Sequence, residues 1–210
     1  MQILSHRGYW KDNSEQNQEV AFRRSFSKGF GTETDIRDYN GELVISHDIP
    51  KESCITVEEF FKIYKEYDAA LPLALNIKAD GLQILLNKLI KKYEISNYFV
   101  FDMSIPDTIG YLDKGFNIFT RHSDYEQQPS FYGDAVGIWL DFFQKEWFDS
   151  KTIKGHLDES KKVCVVSSEL HGKNHINQWS ELRKMSFIED NNIMLCTDFP
   201  EEAEGFFHGY

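Results

Sequence analysis

Four short stretches of the chain carry groups able to move protons or hold anions. Ser5-His6-Arg7-Gly8 follows the apolar pair Ile3-Leu4, so an imidazole and a guanidinium emerge together where a strand is expected to end. Glu33 and Asp35 stand two apart in the run Gly31 to Ile36. Alternate residues of an extended chain share a face, so both carboxylates point the same way. His47 follows Leu43-Val44-Ile45-Ser46, and Asn76 with Lys78 repeats the two-residue spacing where Leu73 to Ile77 ends.

These types imply a particular chemistry. Two carboxylates buried side by side repel one another and are costly to ionise, and a divalent cation between them offsets that cost. Oxygen ligands favour Mg²⁺ or Ca²⁺, and no Cys/His spacing of the zinc type occurs. Asn76 has a neutral carbonyl oxygen to add to such a cation, with less attraction than a carboxylate. Arg7 and Lys78 balance the charge of a bound anion, and two histidines can exchange protons near neutral pH. Arg121, after Asn117-Ile-Phe-Thr, is a further candidate to meet a substrate, and Asp141, after Gly137-Ile-Trp-Leu, is a candidate for additional negative charge. Taken singly, each of these residues reads more simply as a solvated charge or a hydrogen-bonded histidine. Their joint order at successive strand ends is what a set of unrelated surface groups does not explain.

The elements expected to position them alternate. Short apolar runs at Ile3-Leu4, Gly31 to Ile36, Leu73 to Ile77, Tyr98 to Phe101, Asn117 to Thr120, Ala135 to Leu140, Val163 to Val166 and Ile193 to Cys196 read as strands. Between them, Gln18 to Lys28, Val57 to Tyr67, Leu82 to Tyr93, Asp107 to Lys114, Ser150 to Glu159 and Ile176 to Met185 read as helices, several with apolar positions three or four apart. Thr56-Val-Glu-Glu59 is a capping box, and Tyr39-Asn40-Gly41 is a turn returning the chain as Leu43-Val44-Ile45. Strand then helix, repeated, implies a parallel sheet, and the count favours a (β/α)8 TIM barrel, whose catalytic groups gather at the carboxyl ends of the strands. Phe60-Phe61-Ile63-Tyr64 reads as core, Trp139 as a core or outer-face aromatic, and His122, His156, His171 and His175 as surface or loop residues.

Composition sets limits on function. A chain of 210 residues with 41% hydrophobic content can bury one substantial core, so residues 1–210 read as a single domain. Its formal charge of −11 disfavours nucleic-acid binding, which needs a basic surface. No stretch is long and apolar enough for an integral membrane segment, and three unpatterned cysteines suit a reducing, cytoplasmic setting. Neither a Gly-x-Gly-x-x-Gly nor a Walker motif supports nucleotide binding. Oligomeric state is not encoded in any of these features.

The ordered set His6-Arg7-Gly8, Gln16-Asn17 ahead of Ala21-Phe22, Glu33-Thr34-Asp35-Ile36-Arg37, and Gly41 through His47-Asp48 resembles the N-terminal signature of glycerophosphodiester phosphodiesterases. Leu75-Asn-Ile-Lys78 and Cys196-Thr-Asp-Phe-Pro200 resemble later landmarks of that family. The resemblance implies a barrel of the phosphatidylinositol phospholipase C-like phosphodiesterase type, with a role in lipid metabolism. It implies that His6 and His47 are catalytic, that Glu33 and Asp35 bind metal, and that Arg7 and Lys78 hold the phosphate of a small-molecule phosphodiester. Alternatives within the same resemblance are a phospholipase D-like lyase releasing a cyclic phosphate, and a catalytically weakened phosphoester-binding barrel. Three positions depart from the pattern: the third acidic metal ligand falls at Asn76, Glu-Asn-Thr reads Gln16-Asn17-Gln18, and residues 48–75 leave little room for the usual insertion.

Overall fold

The computed structural model describes residues 1–68 and 70–209. Contacts group the chain into two units, Ser5–Ile118 and Met1–Leu4 with Phe119–Tyr210, called here the amino-side and carboxyl-side units. Strand β1 (Gln2–His6) is divided between them, its first three residues falling in the carboxyl-side unit and Ser5 and His6 in the amino-side unit.

In the amino-side unit β2 (Gly31–Tyr39) runs parallel to β4 (Leu73–Ile77), which is in turn parallel to β5 (Tyr98–Phe101). Residues Gly31–Ile36 of β2 and all of β4 are buried, as expected for strands covered on both faces. The hairpin expected after β2 is present: β3 (Glu42–Ile45) pairs antiparallel with Tyr39 opposite Glu42, and the turn residues Asn40 and Gly41 have φ of 49° and 84°. Positive φ at both central positions is the geometry that matches the twist of the flanking strands.

Helices α1 (Glu19–Ser27) and α2 (Val57–Lys65) cover this sheet with an aromatic layer. Phe22 meets Phe60 with ring centroids 4.6 Å apart, and Phe26 meets Tyr64 at 5.4 Å, in edge-on arrangements that aromatic rings prefer. The Thr56/Glu59 capping box opens α2 as its sequence requires. Helices α3 (Gln83–Lys92) and α4 (Ile105–Leu112) complete the unit. The latter starts two residues earlier than the expected Asp107, because Ser104 caps it and Pro106, in the first turn, needs no N–H partner there.

In the carboxyl-side unit β6 (Phe119–His122), β7 (Gly137–Leu140), β8 (Lys162–Val166) and β9 (Ile193–Thr197) form consecutive parallel pairs. Strand β6 begins two residues later than Asn117 because the Asn117 carbonyl accepts from Val100 N at 2.9 Å and Ile118 bridges to Val100, both in the amino-side unit's own pairing. The shift puts Arg121 and His122 inside the strand. Gly137 has no alternative at its position: a Cβ there would lie 2.4 Å from the Phe119 ring and 2.8 Å from the Lys162 carbonyl. Helices α5 (Ser150–Asp158), α6 (His175–Arg183) and α7 (Pro200–His208) follow β7, β8 and β9. Helix α7 lies beyond the expected elements, though Pro200-Glu201-Glu202 is a favourable first turn. Trp139 and the aromatic stripe of α2 are buried as expected. All three cysteines are free thiols, and no described helix is long and apolar enough to cross a membrane.

The alternation of strand and helix is that of the (β/α)8 barrel class.

Candidate active site

The site is built on the strand ends of the amino-side unit. Glu33 and Asp35 of β2 are each 1% exposed, and Asp35 stands opposite Asn76 in the β2/β4 register. Burial raises the Glu33 carboxyl well above the ordinary glutamate range, and the adjacent Asp35 charge raises it further; His6, Lys78 and Arg7 act in the opposite sense. Asp35 is better served. Its Oδ2 accepts from Asn17 Nδ2 at 2.8 Å and lies 3.3 Å from Arg7 Nε, while its Oδ1 lies 3.4 Å from Lys78 Nζ.

The turn after β1 supplies the cations. Arg7 sits at φ 57°, its backbone N–H donating to Glu33 Oε2 at 3.2 Å, and its guanidinium also reaches Gln16 Oε1 at 3.2 Å. Gly8, at φ 82°, follows with its backbone against α1: a Cβ there would meet Ala21 at 2.9 Å and Phe22 at 3.1 Å. His-Arg-Gly is thus a turn in which the glycine lets the chain press on the helix and aims the two preceding side chains at β2. The His6 ring, one-fifth exposed, lies 3.9 Å from Glu33 Oε2, and the His6 carbonyl is held by Trp10 Nε1 at 3.1 Å.

His47 enters through the backbone. Ser46 N–H donates to the Asp35 carbonyl at 3.0 Å, which leaves His47 just beyond the hairpin, with its carbonyl accepting from Arg37. Its ring is nearly half exposed and pairs with Asp48 at 2.9 Å through Nδ1. That pairing holds the Asp48 carboxyl below its usual range.

Glu33, Asp35 and Asn76 are the residues whose oxygens could hold a divalent cation. Asn76 is 7% exposed, and its Oδ1 is a buried acceptor with no hydrogen-bond donor. A buried polar atom without a partner is costly, and a cation beside the two carboxylates would supply one. Among the described residues no three His, Cys, Asp or Glu side chains gather as a metal cluster.

Sequence reasoning gave Asn17 no role of its own; only its place in Gln16-Asn17 pointed to it. The structure makes it a buried link to Arg7, Thr34 and Asp35.

Arg121 lies in the carboxyl-side unit, ion-paired with Asp141 and 3.5 Å from Glu126. Asp141 is 2% exposed and also accepts from His171 Nε2 at 2.7 Å, so its charge is already matched there. The reading of four histidines as surface or loop residues needs correction for His122, which lies in β6 and is only partly exposed, and for His156. His156 is buried in α5, bonded to His122 at 3.0 Å and to the Tyr132 hydroxyl at 2.9 Å, and burial with the neighbouring imidazole pushes it down to about 4. Its burial comes from the face of α5 that also buries Ile153, a spacing of three that the sequence does show.

Neither a family model nor a curated protein matches the sequence. Solved structures do match along the whole chain. A candidate glycerophosphodiester phosphodiesterase from Galdieria sulphuraria superposes with a TM-score of 0.76 at 18% identity, covering 99% of this chain and 97% of that one. The glycerophosphodiester phosphodiesterase of Agrobacterium tumefaciens gives 0.73 at 13% identity, covering 100% of both chains. An Oleispira antarctica phosphodiesterase, solved with the product sn-glycerol-3-phosphate, gives 0.70 at 12% identity over 99% of this chain and 97% of that one. The chain therefore shares the fold of these phosphodiesterases.

Proposed function

We propose that the chain is a divalent-cation-dependent phosphodiesterase acting on a glycerophosphodiester-like substrate, with His6 and His47 as its acid/base pair. The observation that carries this reading is the buried Glu33/Asp35 pair beside the unpartnered Asn76 Oδ1, with Arg7, Lys78 and His6 around it. Fold likeness to glycerophosphodiester phosphodiesterases supports the same reading.

Glu33, Asp35 and Asn76 would hold Mg²⁺ or Ca²⁺, which when bound lowers the pKa of an attacking hydroxyl and draws charge from a phosphate oxygen. Arg7 and Lys78 are the fixed cations nearest Asp35, and they stabilise negative charge developing on the phosphate. One histidine removes the proton from the attacking hydroxyl, which belongs to water or to a neighbouring group of the substrate. The other donates a proton to the leaving oxygen. The half-exposed His47 is the more accessible to exchange its proton with solvent, while His6 is steadied by its contact with Glu33.

The test is phosphorus NMR of a panel of glycerophosphodiesters incubated with the full chain in Mg²⁺, Ca²⁺ and Mn²⁺. A terminal monoester is the expected product. Accumulating cyclic phosphate would make the enzyme a lyase, and tight substrate binding without turnover in any of the three ions would make it a binding barrel.

A further inference from the structure

One neutral residue ties together two elements of the candidate site, the turn after β1 and strand β2. Asn17 is 6% exposed and held at φ 59°, in the left-handed region that asparagine tolerates better than most residues. Its backbone N–H donates to the Arg7 carbonyl at 2.9 Å. Its Nδ2 donates to Asp35 Oδ2 at 2.8 Å, and its Oδ1 accepts from the Thr34 hydroxyl at 2.8 Å. The Asp35 carboxylate settles the amide's orientation: it only accepts, so Nδ2 must face it, and the Thr34 hydroxyl, able to donate or accept, then donates to Oδ1.

We infer that Asn17 is a positioning residue that sets Asp35 for cation binding, a role that rests on the metal-dependent reading above. The Asp35 carboxylate, able to turn about both its side-chain bonds and placed beside Glu33, is driven away from that second negative group. The amide opposes this by holding Oδ2, which also carries the Arg7 contact, and so leaves Oδ1 on the Lys78 side as the oxygen available to a cation. Because the same residue binds the Arg7 carbonyl, and Arg7 N–H binds Glu33, the chain Glu33–Arg7–Asn17–Asp35 fixes both carboxylates relative to one another. The left-handed backbone is what allows one residue to direct its N–H at one strand-end turn and its side chain at the neighbouring strand. Preformed ligands of this kind lower the ordering cost of binding, and loss of such an outer contact typically weakens metal affinity on the order of 10- to 100-fold.

The test uses Asn17→Gly, which keeps the positive φ and removes the side-chain amide, and Thr34→Val, which keeps the shape of the strand residue and removes the hydroxyl that holds the amide oxygen. Calorimetric titration of each full chain with Mg²⁺ and with Ca²⁺ should show Asn17→Gly about 10-fold weaker than wild type, and Thr34→Val shifted in the same direction by less. Turnover of Asn17→Gly should recover toward the wild-type rate as cation is raised to saturation. Unchanged cation affinity in Asn17→Gly, with wild type binding and turning over, would overturn the positioning role alone. A rate deficit that persists at saturating cation would overturn it too, since the amide would then act in the fold or in the chemistry. A wild-type chain that neither binds cation nor turns over would remove the parent reading, and is recognised before any variant is compared.

Discussion

Both units bury carboxylates at strand ends, and they treat them in opposite ways. In the carboxyl-side unit Asp141 accepts from Phe142 N–H at 2.8 Å, His171 at 2.7 Å and Arg121, while Glu169 accepts from the Ser167 and Thr197 hydroxyls and from Asp198 N–H at 3.1 Å. Every oxygen there has a donor. In the amino-side unit Glu33 has one backbone N–H at 3.2 Å and an imidazole at 3.9 Å, its neighbour is another carboxylate, and Asn76 Oδ1 has no donor at all. Burial with full pairing makes a carboxylate a structural tie; burial without it leaves a group whose cost only a ligand offsets. The contrast is sharpest at Glu33, since Asp35 beside it is held by Asn17, Arg7 and Lys78, and it is the ground on which the proposed cation site rests.

The largest effect expected is on turnover. His6→Ala and His47→Ala should each lower it on the order of 10²- to 10⁴-fold with the far-ultraviolet circular dichroism unchanged. His156→Gln, in the paired region, should lower stability and leave the turnover of the folded protein near wild type. A rate loss at His156 matching that at His6 would dissolve the distinction.

Stability separates the carboxylates next. Asp141→Asn removes the charge that matches Arg121 and His171, and urea unfolding should record a loss of about 2–4 kcal/mol. Glu33→Gln should act in the opposite direction when no cation is present. The folded-state pKa of Glu33 is raised, so the native chain binds the proton more tightly than the unfolded chain does, and wild-type stability falls as pH rises from about 4.5 through the raised value. Glu33→Gln should therefore be more stable than wild type by about 1–3 kcal/mol at pH 8, with the gap closing below about pH 4.5. Melting curves in a chelating buffer at the two pH values decide it; a destabilised variant at pH 8 would mean that Glu33 is as well paired as Asp141. The smallest effect is at Asn76, where Asn76→Asp should tighten Mg²⁺ binding about 10-fold in calorimetric titration. No change would remove Asn76 from the set of cation ligands.

Much of this was legible in the chain itself. The alternation of apolar runs and helical spacings, the Thr56/Glu59 box and the Asn40-Gly41 turn are local patterns, and local sterics and hydrogen bonding suffice to produce them. The shared face of Glu33 and Asp35 follows from the two-residue period of a strand, which holds whatever the strand packs against. Boundaries were less legible where a neighbour decided them: Asn117 and Ile118 are apolar-run residues that pair with Val100, so β6 starts at Phe119.

Residue types and their order along the chain determined which groups are candidates for chemistry and that they fall at strand ends. Only the tertiary structure decided which of them are already satisfied. Asp141 and Glu33 are both acids on or just beyond apolar strands, yet the donors that neutralise Asp141 come from β6 and from the segment after β8, and the amide that holds Asp35 comes from the turn before α1. Hydrogen bonds reach only about 3 Å, so the state of a buried carboxylate depends on which distant segments the fold brings that close.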